Sequence, residues 1–399
     1  MVIKIKRKKA CHIVSVRECL FQYAFCIFLF CYIINNYEFG AILEKTIIPA
    51  CILLLTALAL PRDVEIKHYI QAAAMAFFAV LSTCTSDIIH FTQSRIFHVV
   101  FCIVMFAFVP GVNISSVTLN RIISFYIKFA FVLSLIVIAG YIAGFGVDSY
   151  GRASIKFAAF YKDQNYLSAY LMPPFAVNIY GVFFSDKERS RRLIYCASTV
   201  IAVFIMGSRG SFLTILCICA LVLARVILKD GNLMRKAGLL VLLGVFTMGF
   251  YFFFRNLPVF TRMTGFEGYG TDVRIRLWAA GLRGFTGHPF LGSGIGAASA
   301  YSWNIIGNAV HNCFIELLAD QGIAGGVIAV WMYIDMLRIQ RECFPLVFLL
   351  MTAFFLPLFF LTGYSNLTFW MPMFFMKMVS NMSKRNGTVF FCQPVKEER

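Results

Sequence analysis

The residues best suited to chemistry in this chain are few, and most lie in its second half. His311 opens the stretch HNCFIELLADQGIAGG, where a long polar connection gives way to apolar sequence. A histidine at a wet helix start meets the positive end of the helix dipole, which opposes protonation and favours neutral imidazole, a competent base. An interfacial hydrogen bond is the plainer use of such a residue. Its company favours the base: Asn312 stands beside it, and Glu316 and Asp320 follow, four apart on one helix face, with Asp320 the deeper.

The connection at 255–311 holds Arg255, Arg262, Arg274, Arg276 and Arg283, no lysine, and only Glu267 and Asp272 as acids. Arginine is what bidentate recognition of phosphate or carboxylate favours, although arginines also solvate at membrane surfaces. Arg209 sits in GSRGS, a short turn between apolar runs. A charge there is expensive to leave alone, so a bound anion, an acidic partner or escape to the surface is expected. Asp163 and Asn165, in KFAAFYKDQNYLSAYL, fall where they either orient a sugar hydroxyl or cap a helix. Arg209, Arg274, Arg276 and His311 together point to an anionic substrate and one general base. Holding Mg²⁺ or Mn²⁺ takes clustered carboxylates, and Glu267 and Asp272 are too few and too separated, so no metal or other cofactor is expected. The glycines of GSGIG at 292–296 follow no strand of a βαβ unit, which excludes a dinucleotide loop.

These groups have to be positioned by elements that live in lipid. Of the 399 residues 60% are hydrophobic and only 14% charged, too apolar for a soluble domain of this size. Apolar stretches long enough to cross a hydrocarbon core of ~30 Å recur throughout. They lie at about 13–35, 41–60, 68–86, 95–110, 122–144, 164–184, 193–207, 211–228, 236–254, 312–336, 345–362 and 366–380. The fold class expected is therefore an all-α polytopic membrane protein of about twelve helices, because unpaired backbone groups in lipid are prohibitive. Residues 1–254 carry the first nine spans, 255–311 a large loop with short helices, 312–380 the last three spans, and 381–399 a tail. Within the loop, 272–285 has the spacing of a short amphipathic helix ended by Gly287, His288 and Pro289.

The net charge of +17 has its source in basic residues of short loops, including Arg62, Arg121, Arg189, Arg191, Arg192, Lys229, Arg338 and Arg341. All fall on one side if the basic N-terminus is cytoplasmic, as the positive-inside rule expects. Both termini are then cytoplasmic and the large loop lies outside. The span interiors are read as almost bare of charge. No aromatic-interleaved basic domain occurs, so nucleic acid is not an expected partner. Thirteen cysteines are scattered with no CxxC, as small hydrophobes in helix packing.

Four stretches carry a resemblance to a known family: KDQNYLSAYL from Lys162, GSRGSFL from Gly207, VRIRLWAAGLRGFTGHPFLGSGIG from Val273, and the HN stretch from His311. Taken in order, with the long loop before the tenth span, they resemble the O-antigen polymerase and O-antigen ligase superfamily. The resemblance covers about 156–331 and implies an integral-membrane, metal-independent, inverting glycosyltransferase acting on undecaprenyl-diphosphate-linked glycan. It makes Arg209 and Arg274 the groups that grip the diphosphate, with Arg276 a less secure match, and His311 the base. Asp163, Asn165, Asn312 and Glu316 would bind sugar or support the site. It further implies a site on the periplasmic face of a bacterial inner membrane, with a flippase and a chain-length regulator as partners. A polymerase is expected from the form of the HN stretch. A ligase acting on lipid A-core or on protein is the alternative, and a flippase or solute transporter, with ionisable groups near the bilayer midplane, is the reading from another class.

Overall fold

A computed structural model describes residues 15–34, 41–62, 65–84, 86, 89–148, 151–157, 160–185, 188–229, 255, 271–339 and 341–386. Its helices are α1 (Val16–Ile34), α2 (Ala41–Leu58), α3 (Ile66–Cys84), α4 (Ile89–Phe108), α5 (Ser116–Ile142), α6 (Gln164–Phe184), α7 (Arg189–Ile205), α8 (Arg209–Lys229), α9 (Thr271–Gly287), α10 (Ala297–Ile306), α11 (Cys313–Leu337), α12 (Phe344–Phe355) and α13 (Leu367–Asn386). A 3-10 turn, Leu356–Phe360, continues α12. Every expected span except the ninth has a helix at its position. The ninth, 236–254, lies outside the described residues, as do Arg262 and Glu267 of the large loop. By length and apolarity alone, α1, α5, α6, α8 and α11 suffice to cross a membrane. The expected short helix at 272–285 is α9.

One departure from an all-helical chain lies between α5 and α6. There β1 (Ile155–Phe157) and β2 (Phe160–Lys162) pair antiparallel, Ile155 opposite Lys162. Short runs of aromatic and β-branched residues favour that conformation when a polar connection frees them from the helix period.

The helix termini gather at two ends of the structure. At the near end, which holds Val16, the Glu18 carboxylate accepts from the Ser115 and Thr118 hydroxyls, both at 2.9 Å, and so ties α1 to the N-terminus of α5. Asn381 of α13 reaches the Pro110 carbonyl after α4 at 2.9 Å. The outer faces are apolar and open, as lipid contact requires: Leu55 is 66%, Phe77 60% and Val327 62% exposed. Inside, α6 and α13 run through the centre. Phe374 and Phe375 of α13 meet Phe28 and Phe25 of α1 at ring separations of 5.8 and 5.9 Å.

The bare interiors expected of the spans are corrected at the near end. Asp335 of α11 is buried and ion-paired to Lys377 of α13, to Lys67 of α3 at 2.8 Å and to Lys384 of α13 at 3.6 Å. Burial of that carboxylate is tolerated because cations converge on it from separate helices.

Candidate functional site

At the far end the chain between Leu361 and Asn366 leaves helical geometry and becomes a hub. Glu316, one turn into α11, accepts from the backbone N–H groups of Gly363 at 2.6 Å and Tyr364 at 2.9 Å. The Ser299 hydroxyl of α10 donates to its other oxygen at 3.1 Å. Gly363 has φ +155°, and a Cβ there would press on Thr368, so the turn needs glycine. The Tyr166 hydroxyl of α6 donates to the Thr362 carbonyl at 2.7 Å, and the Trp370 indole of α13 to the Tyr364 carbonyl at 2.9 Å. Glu316, expected to bind sugar or support the site, holds the 363–364 turn and α10 through these bonds.

His311 is fastened to this hub. Its backbone N–H donates to the Thr362 hydroxyl oxygen at 2.9 Å, and its ring Nδ1 lies 3.5 Å from the same oxygen. Its φ of +50° is left-handed, a conformation that costs of order 1–3 kcal/mol in a residue with a side chain. The cause is visible one residue on. Asn312 caps α11, its side-chain oxygen accepting from Phe314 N at 3.0 Å and Ile315 N at 3.1 Å, so the helix starts abruptly and the chain must turn sharply into it. Burial holds the His311 imidazole below its usual pKa, the Arg274 charge acts in the same direction, and the Asp163 carboxylate opposes both. All three settle near one another although 148 residues separate Asp163 from His311 in sequence (311 − 163).

The arginines arrive from two other elements. Arg274, in the first turn of α9, lays its guanidinium over the Phe360 ring at 5.7 Å from the centroid. Arg209 is the first residue of α8, and the next residue, Gly210, packs so closely on Phe360 that a Cβ would come within 2.7 Å of the ring. The Ser211 hydroxyl then hydrogen-bonds Ser168 of α6 at 2.8 Å, which ties the start of α8 to the start of α6. Asp163 is the N-cap of α6, accepting from Asn165 N at 2.8 Å and Tyr166 N at 3.4 Å, so the capping option is met. Asn165 beside it is half-buried. The starts of α6, α8, α9 and α11 thus meet around Phe360 and Thr362, bringing Asp163, Arg274 and His311 together with the turn that carries Arg209. Arg276, also in the first turns of α9, is exposed.

The glycine-rich stretch before α10 has a structural use. Gly292, Gly294 and Gly296 all have positive φ, and α11 breaks at Gly322, which has φ +62°. The two irregular pieces fill each other: Ser293 N donates to the Ala319 carbonyl at 2.8 Å, Ile323 N to the Pro289 carbonyl at 2.8 Å and Ala324 N to the Phe290 carbonyl at 3.1 Å. Asp320 accepts from Gly296 N at 2.7 Å and Ala298 N at 3.2 Å, capping α10. Arg95 of α4 is buried and interacts electrostatically with Glu316 and Asp320. It was visible in the sequence as a lone arginine in the apolar run around IHFTQSRIFHVV. Thr362 and Phe360 carried no such signal.

Chemically, this end offers a neutral imidazole, guanidinium charge beside it, and carboxylates already engaged by backbone donors. Residues 194–330 match the family model described as O-antigen ligase. That interval runs from α7 into α11 and contains Arg209, Arg274 and His311, so it supports the resemblance carried by the motifs. No curated protein matches the chain.

Proposed function

We propose that this chain, which resembles the O-antigen polymerase and ligase superfamily, polymerises undecaprenyl-diphosphate-linked repeat units at the periplasmic face of the bacterial inner membrane. Twelve helices cross the bilayer in this reading, with both termini cytoplasmic and the far end outside. The acceptor is the sugar hydroxyl of one lipid-linked unit. Its oxygen attacks the anomeric carbon of another and inverts it, the bond to the diphosphate oxygen breaks, and the hydroxyl proton passes to His311. Sugar hydroxyls ionise only at high pH, so a positioned base contributes roughly 10²- to 10⁴-fold. Thr362 is the positioning residue: accepting from Nδ1–H, its oxygen leaves Nε2 free to take the proton. Arg209 and Arg274 stabilise the charge gathering on the departing lipid diphosphate, an effect worth a few kcal/mol in a partly dehydrated site. Asn165 faces the acceptor sugar, and no metal takes part.

The observation that supports this most is the meeting of Arg274, His311 and the Arg209 turn around Phe360 and Thr362. The matching family model fits a second reading equally well, in which the acceptor is the lipopolysaccharide core or a protein. The surface glycan of a deletion strain separates them. A single repeat unit on core is the polymerase outcome; lipid-linked polymer with bare core is the ligase outcome, and unchanged glycan sinks both. Reporters fused after Gly268 and Lys187 should read outside and inside, and a cytoplasmic Gly268 ends the enzyme reading.

A further inference from the structure

Away from the far-end site, the near end holds a cavity of about 200 Å³ between α6, α8 and α12, lined by Tyr180, Val222, Arg225, Phe344, Phe348 and Leu349 among others. Its walls are aromatic and aliphatic, and Arg225 is the one charged lining residue among the described residues. The Arg225 guanidinium stands over the rings of Phe184 at 5.2 Å and Tyr180 at 5.9 Å, and its Nε is buried with no hydrogen-bond acceptor among the described residues. Phe344 and Phe348, 41% and 39% exposed, stand on the open side of the cavity. Stacking on rings satisfies the faces of a guanidinium and leaves its in-plane N–H donors to find oxygen.

An arginine at membrane depth is expensive unless something anionic meets it. The neighbouring rim favours anions, since Arg189, Arg191 and Arg192 open α7 at the same end and Glu188, ion-paired to Arg191, offsets one of the three charges. A free inorganic anion would use the guanidinium but gain nothing from the apolar walls. A lipid uses both, because phosphate oxygens match the planar fork of arginine and an acyl chain matches Phe344, Phe348 and Leu349. We infer that this cavity is a binding site for an anionic phospholipid of the near-end leaflet, its phosphate on Arg225 and one acyl chain along the α12 aromatics. The inference needs only that the chain sits in a bilayer, so it stands or falls separately from the glycan-transfer reading.

The test is titration of the full-length protein in detergent micelles with dioleoyl phosphatidylglycerol and, separately, dioleoyl phosphatidylcholine, read by native mass spectrometry and by thermal shift. Saturable binding of the anionic lipid is expected, about fivefold or more tighter than the zwitterionic one, from the attraction of one arginine near an anionic headgroup. Arg225→Gln should lose that preference, while Arg225→Lys keeps part of it. Phe348→Trp, at a half-exposed position, fills the open side with Arg225 intact and should weaken both lipids, which keeps the test decisive if Arg225→Gln does not fold. Equal affinity for the two lipids overturns the inference. So does undiminished phosphatidylglycerol binding in either Arg225→Gln or Phe348→Trp.

Discussion

The two ends of α11 use buried charge in opposite ways. At its near end Asp335 is closed upon itself by ammonium groups from α3 and α13, side chain against side chain. At its start, Glu316 and Asp320 give their oxygens to backbone N–H groups and hydroxyl, and so shape a turn and a helix cap. The first arrangement ties helices together through charge. The second fixes main chain, and through it the pose of His311, beside guanidinium charge from another element. A buried acid therefore says little by its type: the partner it takes decides whether it locks a fold or aims another group.

That contrast can be broken most directly at His311. In His311→Ala, transfer by the purified protein should fall roughly 10²- to 10⁴-fold while its thermal transition stays put, because a half-buried, strained residue contributes little to stability. Turnover near wild type removes the base. Asp335→Ala should do the reverse. Leaving three lysines around a vanished carboxylate should destabilise by about 3–5 kcal/mol, with turnover per folded molecule unchanged. Denaturation in parallel with an activity assay separates the two effects, and lost turnover in a fully stable variant would erase the distinction between the ends.

A finer probe is Thr362. Thr362→Val deletes both contacts to His311 and should lower kcat up to about 10²-fold with little change in KM, as misplacement of a catalytic group does. Thr362→Ser, which keeps the oxygen, should recover most of the rate, whereas equal loss in both variants points to packing alone. The smallest expected effect is a displaced pH profile. Neutral imidazole is the active form, so activity falls as pH drops through the His311 pKa, which burial and Arg274 hold below 6.5. Asp163→Asn keeps the cap and removes a charge pulling that pKa upward, so the acid limb should move to lower pH; an upward move contradicts the arrangement.

Much of the far end was legible because its charges are out of place. Arg209 in an apolar turn, arginines without lysines in one loop, and a histidine opening a helix all announce themselves by residue type. Spans were legible because lipid thickness sets their length. Thr362 was not, since a threonine before a glycine is ordinary, and its bond to His311 joins positions 51 apart. The pairing of Asp335 with Lys377 was hidden likewise. Neither residue stands near the other in sequence, and only the crossing of α11 and α13 turns two costly residues into a mutual solution. Glu316 was visible as an acid, but which donors it would take depended on a turn almost 50 residues on.

The break in α11 at Gly322 carries a mechanical consequence. Its freed amides are capped by the carbonyls of Pro289 and Phe290, so pulling the 289–294 segment from the helix would strand peptide dipoles at several kcal/mol apiece if the surroundings are hydrocarbon. Loop and broken helix must then travel as one body. If the far end takes the glycan proposed above, room for it has to come from the starts of α6 and α8 or from the 3-10 turn that carries Phe360.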